Sequence, residues 1–474
     1  MKRKSVNASA FRCWLAMIVI SLCIRGVVAI AQEEPVTESP DRIGPPKEMA
    51  SAGAGAESLG TPGPRPVAPS LSASATLRAR FEIKRGVRFD EAQAAADEDF
   101  TLSRLRLHLT WAPARWEGRL AAFIELQDAR IWGEDFIDEK AVPNLTSDQL
   151  DIHQAHLDVG LAPDSRLPAK LRVGRQKLNL GAQRLVASLE WANTARVWDG
   201  ARLTLGDPQR RGVDFFATRL VPVRPDAFND HAPTGSRMFD SQLHGVYFTD
   251  KTLIRDAQLE AYWLMRFQGA AGDNVHTFGL RAACLRPQWD ADMEVARQFG
   301  TFGGQEHRAM MLHVGIGHTL KAVPNSHIGA AYNFGSGDRN ASDARHETFD
   351  NLFPLNHAYY GHMDFFALQN LHNAELVFKT RLSRRVSLRA AYQRFYLAQE
   401  DSDAWYDAGG RVFQQPAGDL SPDAGSEIDL TLSFDVSRFK LVVGHSRFFT
   451  GQYLRDAGTS TQSHFSYAQM EVGF

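Results

Sequence analysis

The chain has 474 residues, a formal net charge of -2 and three cysteines. This near-neutral balance does not indicate a class of partner, because recognition depends on where charges lie rather than on their sum. About 400 residues follow position 70, which is very large for one soluble core. A membrane barrel escapes that limit because its strands bury their outer face in lipid.

The N-terminus predicts a secretory signal peptide over residues 1–31. Basic residues at positions 2–4 precede a short apolar run, which is followed by the cleavage motif Ala29-Ile30-Ala31. The apolar run is too short to cross a membrane as a helix, so a retained anchor helix is the weaker alternative.

Cleavage after Ala31 leaves Cys284 as the single cysteine of the mature chain. One cysteine excludes an internal disulfide and a cysteine metal site. Residues 32–70 are rich in Pro, Ala, Gly and Ser and are predicted to form a flexible periplasmic leader, because they carry too little apolar surface to fold.

Residues 71–474 predict about eighteen β-strands in which apolar and polar side chains alternate. The first strand illustrates the pattern with the run Leu77-Arg78-Ala79-Arg80-Phe81. Successive residues of a strand point to opposite faces of its sheet, so each strand has one apolar and one charged face. Segments of about ten residues with this alternation are typical of transmembrane β-barrels. We therefore predict an all-β, antiparallel transmembrane barrel.

The connectors between the predicted strands alternate in length. Short ones, such as residues 383–385 and 437–438, follow even-numbered strands, and long ones, such as residues 335–371, follow odd-numbered strands. Short periplasmic turns and long extracellular loops are expected when both chain ends lie in the periplasm. The outer connectors near residues 267–274 and 301–307 are only of moderate length. A soluble β-propeller is the alternative, but the sequence shows no internal repeat to support it.

Aromatic residues lie near many predicted strand ends. The last strand ends in Phe474, and a terminal aromatic residue is the insertion signal that the barrel-assembly machinery reads. Tryptophans near strand ends are predicted to form interfacial girdles rather than to pack in a core. They are Trp111, Trp116, Trp132, Trp198 and Trp289.

Inward-pointing charges predict a basic track along the lumen. The basic residues predicted to line the substrate path are Arg78, Arg80, Arg104, Arg106, Arg119, Arg172 and Arg202. The acidic residues predicted to face the lumen are Glu125, Glu260, Glu427 and Asp429. Arginine keeps its charge and binds carboxylate or phosphate through paired N–H groups, so the track suits a polyuronate or a phosphate. The alternative is that these charges only pair across the lumen and hold the barrel rigid.

Five arginines fall on the predicted lipid-facing side: Arg175, Arg219, Arg297, Arg394 and Arg447. An arginine at the bilayer midplane costs about 2–4 kcal/mol, and the cost falls towards zero near the interfaces. These residues therefore lie at strand ends, or a bulge shifts the register, or the strand boundaries differ from those predicted.

The longest connector, residues 335–371, is rich in aromatic and apolar residues. We expect it to fold inward or to pack on the rim of the barrel, and long loops of this kind are usually functional. No cofactor is expected, although Asp338, Asp343 and Asp350 are candidate calcium ligands in this loop. Their spacing matches no EF-hand.

A barrel enzyme is the chemical alternative to a channel. No G-x-S-x-G elbow or other nucleophile motif is present in the sequence, so no catalytic residue is predicted. The absence of a basic helix and the predicted location both argue against a nucleic-acid partner.

Two blocks of the sequence resemble the alginate export family of outer-membrane proteins. The first block comprises Arg172-Val-Gly-Arg-Gln176, Gln183-Arg184-Leu185 and residues 191–202, and the second is the pattern Leu-Phe-Pro-x-x-His-x-Tyr-x-Gly-x-x-Asp within residues 349–364. The motif residues carried over are Arg175, Gln176, Asp199, Gly200, Pro354, His357, Gly361 and Asp364.

The resemblance implies an eighteen-stranded barrel with an arginine-lined constriction, closed by loops on either side, that passes a polyanionic uronate polymer by diffusion. It does not define the substrate, so a general or phosphate-type porin stays open, as does a barrel enzyme or surface-binding protein. The expected location is the bacterial outer membrane. The expected partners are membrane lipid, the barrel-assembly machinery and an anionic oligo- or polysaccharide.

Overall fold

The structure is a computed structural model that describes residues 70–87, 98–114, 119–133, 143–231, 241–269, 271–321, 323, 325–416, 418, 420–458 and 462–474. The predicted signal peptide, and the predicted leader up to residue 69, lie outside the described residues. Among the helices of the described part, none has the length and apolar character needed to cross a membrane.

Eighteen antiparallel strands form one closed sheet, which confirms the predicted fold class and strand count. The strands are β1 Ser70–Arg85, β2 Glu98–Ala112, β3 Leu120–Trp132, β4 Asp148–Gly160, β5 Ala169–Gln176, β6 Trp198–Asp207, β7 Arg211–Leu220, β8 Ser241–Asp250, β9 Ala257–Gln268, β10 Asp273–Leu285, β11 Trp289–Phe302, β12 Gln305–Leu320, β13 Ser326–Gly335, β14 Leu371–Arg381, β15 Val386–Leu397, β16 Asp423–Val436, β17 Phe439–Thr450 and β18 Ser463–Gly473. Each strand pairs with the next, and β18 pairs with β1 from Thr76↔Gly473 to Arg85↔His464, which closes the cylinder.

Short elements outside the barrel wall lie in the long connectors. Helix α1 spans Pro143–Thr146, helix α2 spans Gln452–Asp456, and a 3-10 turn spans Asn356–Ala358. The two-residue strand Arg345–His346 pairs with the start of β12, and Trp405–Tyr406 pairs with Val412–Gln414.

The connectors follow the predicted alternation, with one correction. In the orientation predicted from the sequence, the short turns, the start of β1 and the end of β18 face the periplasm. The extracellular connectors predicted near residues 267–274 and 301–307 are shorter than predicted, because their strands continue further. The second is only Gly303-Gly304, with φ of 56° and 82°, a left-handed backbone that glycine adopts without strain.

The two faces of the sheet differ as the alternation predicts. On β2, Leu105, Leu107 and Leu109 are exposed on the outer face, whereas Arg104 and Arg106, which alternate with them, are buried on the inner face. Apolar side chains therefore face the lipid, and charged side chains face the lumen.

The tryptophans divide into two groups. Trp111, Trp132 and Trp289 are exposed on the outer surface, and Trp116 lies outside the described residues. Trp198 contradicts the girdle prediction: it is fully buried, with its ring 5.9 Å from that of Phe353 in an edge-to-face contact. It starts β6 pointing inward, where a loop covers it.

The five arginines on the lipid-facing side all lie on odd-numbered strands, nearer the extracellular end. Arg175 and Arg219 are the penultimate residues of β5 and β7, and Arg394 and Arg447 are the fourth residues from the ends of β15 and β17. The strand-end explanation therefore holds for these four. Arg297 lies closer to the middle of its strand, as the sixth residue from the end of β11.

We predict that Gly279→Val lowers the midpoint of chemical unfolding. Gly279 is an inward residue of β10, and a Cβ placed there would lie 2.1 Å from Cζ of Tyr262. Overpacking of this kind costs about 1–3 kcal/mol. Ala282→Val is the control, because Ala282 lies on the same strand but is exposed on the outer face. Equal midpoints for the two variants would contradict the close packing inside the barrel.

Candidate functional site: constriction and lumen pocket

Two connectors fold into the barrel rather than out of it. The first inner loop comprises residues 177–197, between β5 and β6, and the second comprises residues 349–370, which lead into β14. Apolar residues of both loops, such as Val186 and Phe353, belong to one buried cluster. The expectation that the longest connector folds inward is confirmed.

The two inner loops are hydrogen-bonded to each other. The N–H of Ala187 donates to the carbonyl of Phe353 at 2.8 Å, and the N–H of Phe353 donates to the carbonyl of Leu185 at 2.9 Å. The hydroxyl of Tyr359 donates to the carbonyl of Ala182. The loops therefore form one unit across the lumen.

Four inward arginines of β1 and β2 hold the first inner loop, and we call them the arginine clasp: Arg78, Arg80, Arg104 and Arg106. Nη1 of Arg78 and Nη1 of Arg104 donate to the carbonyl of Glu190 at 2.8 and 3.3 Å. Arg80 donates to the carbonyl of Trp191 at 2.7 Å and stacks 3.7 Å from the centre of its ring.

The carboxylate of Glu190 binds three cations inside the arginine clasp. Its Oε2 lies 2.7 Å from Nη1 of Arg106 and 3.3 Å from Nη1 of Arg104, and its Oε1 lies 2.8 Å from Nζ of Lys177. Burial of these charges is tolerated only because they are paired and hydrogen-bonded. The clasp faces the lumen as predicted, but many of its N–H groups are used by the loop rather than presented as an open track.

Arg184 of the first motif block anchors the first inner loop on the opposite wall. Its guanidinium is fully buried and contacts Glu294 at 3.1 Å, Asp292 at 3.2 Å and the ring nitrogen of His313 at 2.7 Å. It also lies 4.7 Å from the ring centre of Tyr359 in the second inner loop. Arg184 was not among the predicted lumen residues, because strand parity assigns no direction to a side chain in a loop.

The remaining predicted lumen residues form pairs along the wall, with one correction. Arg172 pairs with Asp158 at 2.7 Å, Arg202 with Asp214 at 2.7 Å, Glu260 with Arg281 at 2.6 Å, and Glu125 with His108 at 2.8 Å. Arg119 does not line the lumen: it precedes β3 at the periplasmic rim, its side chain is 55% exposed, and it pairs with Asp164.

Glu427 and Asp429 on β16 hold the second inner loop. The N–H of Met363 donates to Oε1 of Glu427 at 2.9 Å. Gly361 has φ of 89°, and a Cβ there would lie 2.5 Å from Oε2 of Glu427, so only glycine allows this close approach. His362 lies 3.8 Å from the carboxylate of Asp429.

The first motif block joins two neighbouring strands. Arg175 and Asp199 are in register on β5 and β6, and their side chains form two hydrogen bonds of 2.9 and 3.1 Å. Gln176 donates to the carbonyl of Gly200 at 3.3 Å. These contacts fix the strand ends from which the first inner loop departs and to which it returns.

The second motif block shapes the second inner loop. Nδ1 of His357 lies 2.9 Å from the carboxylate of Asp364, and Arg196 of the first inner loop donates to the carbonyl of Pro354 at 3.0 Å. The ring of His357 stacks on Trp191 with centres 3.9 Å apart. The motif residues therefore support the contact between the two loops.

Beneath the inner loops lies an open pocket with about 490 Å³ of empty space. Its polar lining consists of Arg184, His313, Asn333, Glu375, Lys379 and Arg389. Arg389 donates to Glu375 at 2.8 Å, whereas its Nε and Nη1 are buried without a hydrogen-bond partner in the described part of the chain. Lys379 and Arg389 occupy inward-pointing positions in the alternation of β14 and β15. The alternation could therefore have identified both residues, although neither was predicted to line the lumen.

The three candidate calcium ligands of the longest connector are not brought together. Asp350 pairs with Arg266 at 2.6 Å. Asp343 accepts a hydrogen bond from the N–H of Arg345, and the N–H of Asp338 donates to Asp403. Each residue belongs to a separate set of contacts.

The fold and the plugged, charge-lined lumen define an outer-membrane channel barrel. Solved structures with the same fold include OpdO of Pseudomonas aeruginosa (TM-score 0.58, 12% identity, covering 85% of this chain and 97% of that one). OccD3 (OpdP) of the same organism is a second example, with a TM-score of 0.57 and 10% identity, covering 92% of this chain and 99% of that one. OccAB2 of Acinetobacter baumannii is a third, with a TM-score of 0.57 and 11% identity, covering 85% of this chain and 98% of that one. At these identities the likeness shows the fold alone.

The sequence itself supplies the family. The model of the family described as Alginate export matches residues 70–468, most of the chain. No curated protein sequence matches the chain. The protein belongs to the alginate export family and is a protein of the bacterial outer membrane.

We predict that Glu190→Ala loosens the first inner loop and raises single-channel conductance in planar bilayers. The change leaves Arg104, Arg106 and Lys177 without their shared carboxylate, and breaking a buried ion pair commonly costs about 3–5 kcal/mol. Glu306→Ala is the control, because Glu306 is a half-exposed carboxylate at the extracellular end of β12. If both variants conduct like the unmodified protein, Glu190 does not hold the loop that closes the lumen.

Proposed function

We propose that the barrel is a passive channel for anionic solutes, with an acidic polysaccharide or its fragments as the preferred substrate. The observation that carries the proposal is the lumen pocket, where two groups of Arg389, Nε and Nη1, have no hydrogen-bond partner among the described residues and Lys379 lines the same wall. Membership of the alginate export family supports the same substrate class.

The cationic wall of the pocket lies towards the periplasmic end of the barrel. Lys379 is the third residue from the end of β14, and Arg389 is the fourth residue of β15, on either side of a short periplasmic turn. A solute that enters from the periplasm would meet these cations before the inner loops. Guanidinium binds a carboxylate through two parallel N–H groups, and a polyuronate offers one carboxylate on each sugar.

The two inner loops would act as the gate above this pocket. Their attachment to the wall consists largely of side-chain contacts, such as the arginine clasp and Arg184, so the loops can move without disrupting the barrel sheet. Strained backbone also concentrates in them, as is common in segments that move or bind ligands. Non-glycine residues of these loops with positive φ are Gln183, Leu189, Ala195, Leu352, Asp364 and Asn370.

No catalytic step or cofactor is part of the proposal. Transport would run down a concentration gradient or be driven by periplasmic partners. For insertion we propose recognition of the C-terminal strand by the barrel-assembly machinery. Phe474 is exposed at the end of β18, with its N–H donating to the carbonyl of Ala75 at 2.9 Å.

A general or phosphate-type porin is the second candidate, because the same unpartnered N–H groups of Arg389 would bind phosphate oxygens. The two candidates differ in how a polyuronate is expected to affect the channel. A channel built for polyuronate binds several linked carboxylates, whereas a general porin does not discriminate between acidic and neutral chains of equal length.

We predict that the double variant Lys379→Gln/Arg389→Gln lowers anion preference. Removing two cations from the pocket wall reduces the attraction of anions into the pore. The reversal potential under a KCl gradient is expected to shift towards that of a non-selective pore. Arg297→Gln is the matched control, since it removes a cation from the outer face of β11. Unchanged reversal potentials in the double variant would remove the pocket from the ion path.

Block by oligouronate separates the two candidates. We expect an oligouronate of six to ten sugars (about the length that spans a bilayer core of roughly 30 Å) to interrupt the current at concentrations where a neutral oligosaccharide of the same length does not. The double variant is expected to weaken this block at least tenfold. Block by phosphate together with indifference to oligouronate would favour the phosphate-type porin.

A further inference from the structure

Three buried carboxylates meet on the outer side of the extracellular rim, away from the lumen pocket. Asp148 and Asp151 lie at the extracellular start of β4, and Asp230 lies in the connector that follows β7. One carboxylate oxygen of each residue lies within 4.8 Å of the others. The three residues are only 4%, 3% and 2% exposed.

Two of the carboxylates have an oxygen without a partner. Oδ1 of Asp148 and Oδ1 of Asp230 are buried and make no hydrogen bond among the described residues. Oδ2 of Asp230 accepts the N–H of Arg224 at 2.7 Å. Asp151 accepts the N–H groups of Asn229 and Asp230, so it already holds the connector against β4. Buried oxygens of this kind call for a bound group, because an unsatisfied buried acceptor is costly.

The nearby arginine does not neutralise the cluster. Nη1 of Arg175 is 3.7 Å from Oδ2 of Asp151, but the guanidinium makes two hydrogen bonds of 2.9 and 3.1 Å to the carboxylate of Asp199. Its other hydrogen bonds go to backbone carbonyls, those of Ile152 and Asp230, rather than to the three carboxylates. Asp199 balances the charge of Arg175, which leaves three carboxylates at one place.

We propose that Asp148, Asp151 and Asp230 bind one calcium ion. Calcium takes oxygen ligands at about 2.3–2.6 Å, so two oxygens that share the ion lie up to roughly 5 Å apart. The three carboxylate oxygens lie no more than 4.8 Å from one another, which is within that limit. Calcium accepts irregular sets of carboxylates, backbone carbonyls and water, whereas magnesium requires a near-ideal octahedron. The ion would fasten the connector after β7 to the rim at β4.

Calorimetric titration of the purified, detergent-solubilised mature chain with calcium, after treatment with a chelator, tests this proposal. We expect one saturable site with a Kd of about 10⁻⁴–10⁻³ M, the range of extracellular calcium modules. Asp148→Asn and Asp230→Asn are each expected to weaken binding at least tenfold, and magnesium is expected to bind more weakly than calcium. Calcium should also raise the thermal midpoint of the unmodified protein more than that of either variant.

Asp226→Asn is the matched control, because Asp226 is exposed in the same connector and its carboxylate accepts a hydrogen bond of 3.2 Å from the side-chain amide of Gln149. This variant is expected to bind calcium like the unmodified protein. Asp230→Asn changes a connector rather than the sheet, so it decides the question if Asp148→Asn does not fold. The absence of saturable binding to the unmodified protein, or equal binding by Asp230→Asn, would overturn the proposal.

Discussion

A guanidinium group inside a narrow barrel needs hydrogen-bond acceptors, and this requirement organises the lumen. The wall places Arg78, Arg104 and Arg106 side by side, and the neighbouring strands offer too few carboxylates to satisfy them. The first inner loop supplies the missing acceptors through the carbonyl and the carboxylate of Glu190. The same rule acts on the opposite wall, where Arg184 of the loop meets Asp292 and Glu294. The loop is therefore held from two sides by charges that would otherwise be buried without partners.

The inward cations of the wall have two different roles, which strand alternation in the sequence does not distinguish. Arginines of β1 and β2 bind the first inner loop, whereas Lys379 and Arg389 line the lumen pocket. The two groups of arginines differ in their hydrogen-bond partners rather than in residue type. Among the described residues, Arg389 has two N–H groups without a partner, whereas most N–H groups of the arginine clasp are hydrogen-bonded. The motif residues Arg175 and Asp199 serve neither role directly, because they fix the strands between which the first inner loop is suspended.

The alternation of apolar and polar residues predicted the direction of side chains on the strands well, and that of residues at strand ends and in loops poorly. It placed the inward face of β2 correctly, but it left open why five arginines point outward, of which all except Arg297 lie near strand ends. It misassigned Arg119, one residue outside β3, and Trp198, which points inward where a girdle residue would point outward. Strand parity carries no information about a side chain that leaves the wall or about a loop that enters the lumen.

The amino-acid sequence by itself determined the membrane barrel, because period-two alternation forces each strand to present one apolar and one polar face, and a closed sheet is the arrangement that satisfies every backbone group in lipid. It also carried the family, through two short motif blocks. Tertiary structure alone decided which charges are free. Residues as distant in sequence as Arg78 and Glu190 become partners only when the cylinder closes and the loop descends into it. The meeting of Asp148 with Asp230 likewise depends on a connector folding back onto the rim.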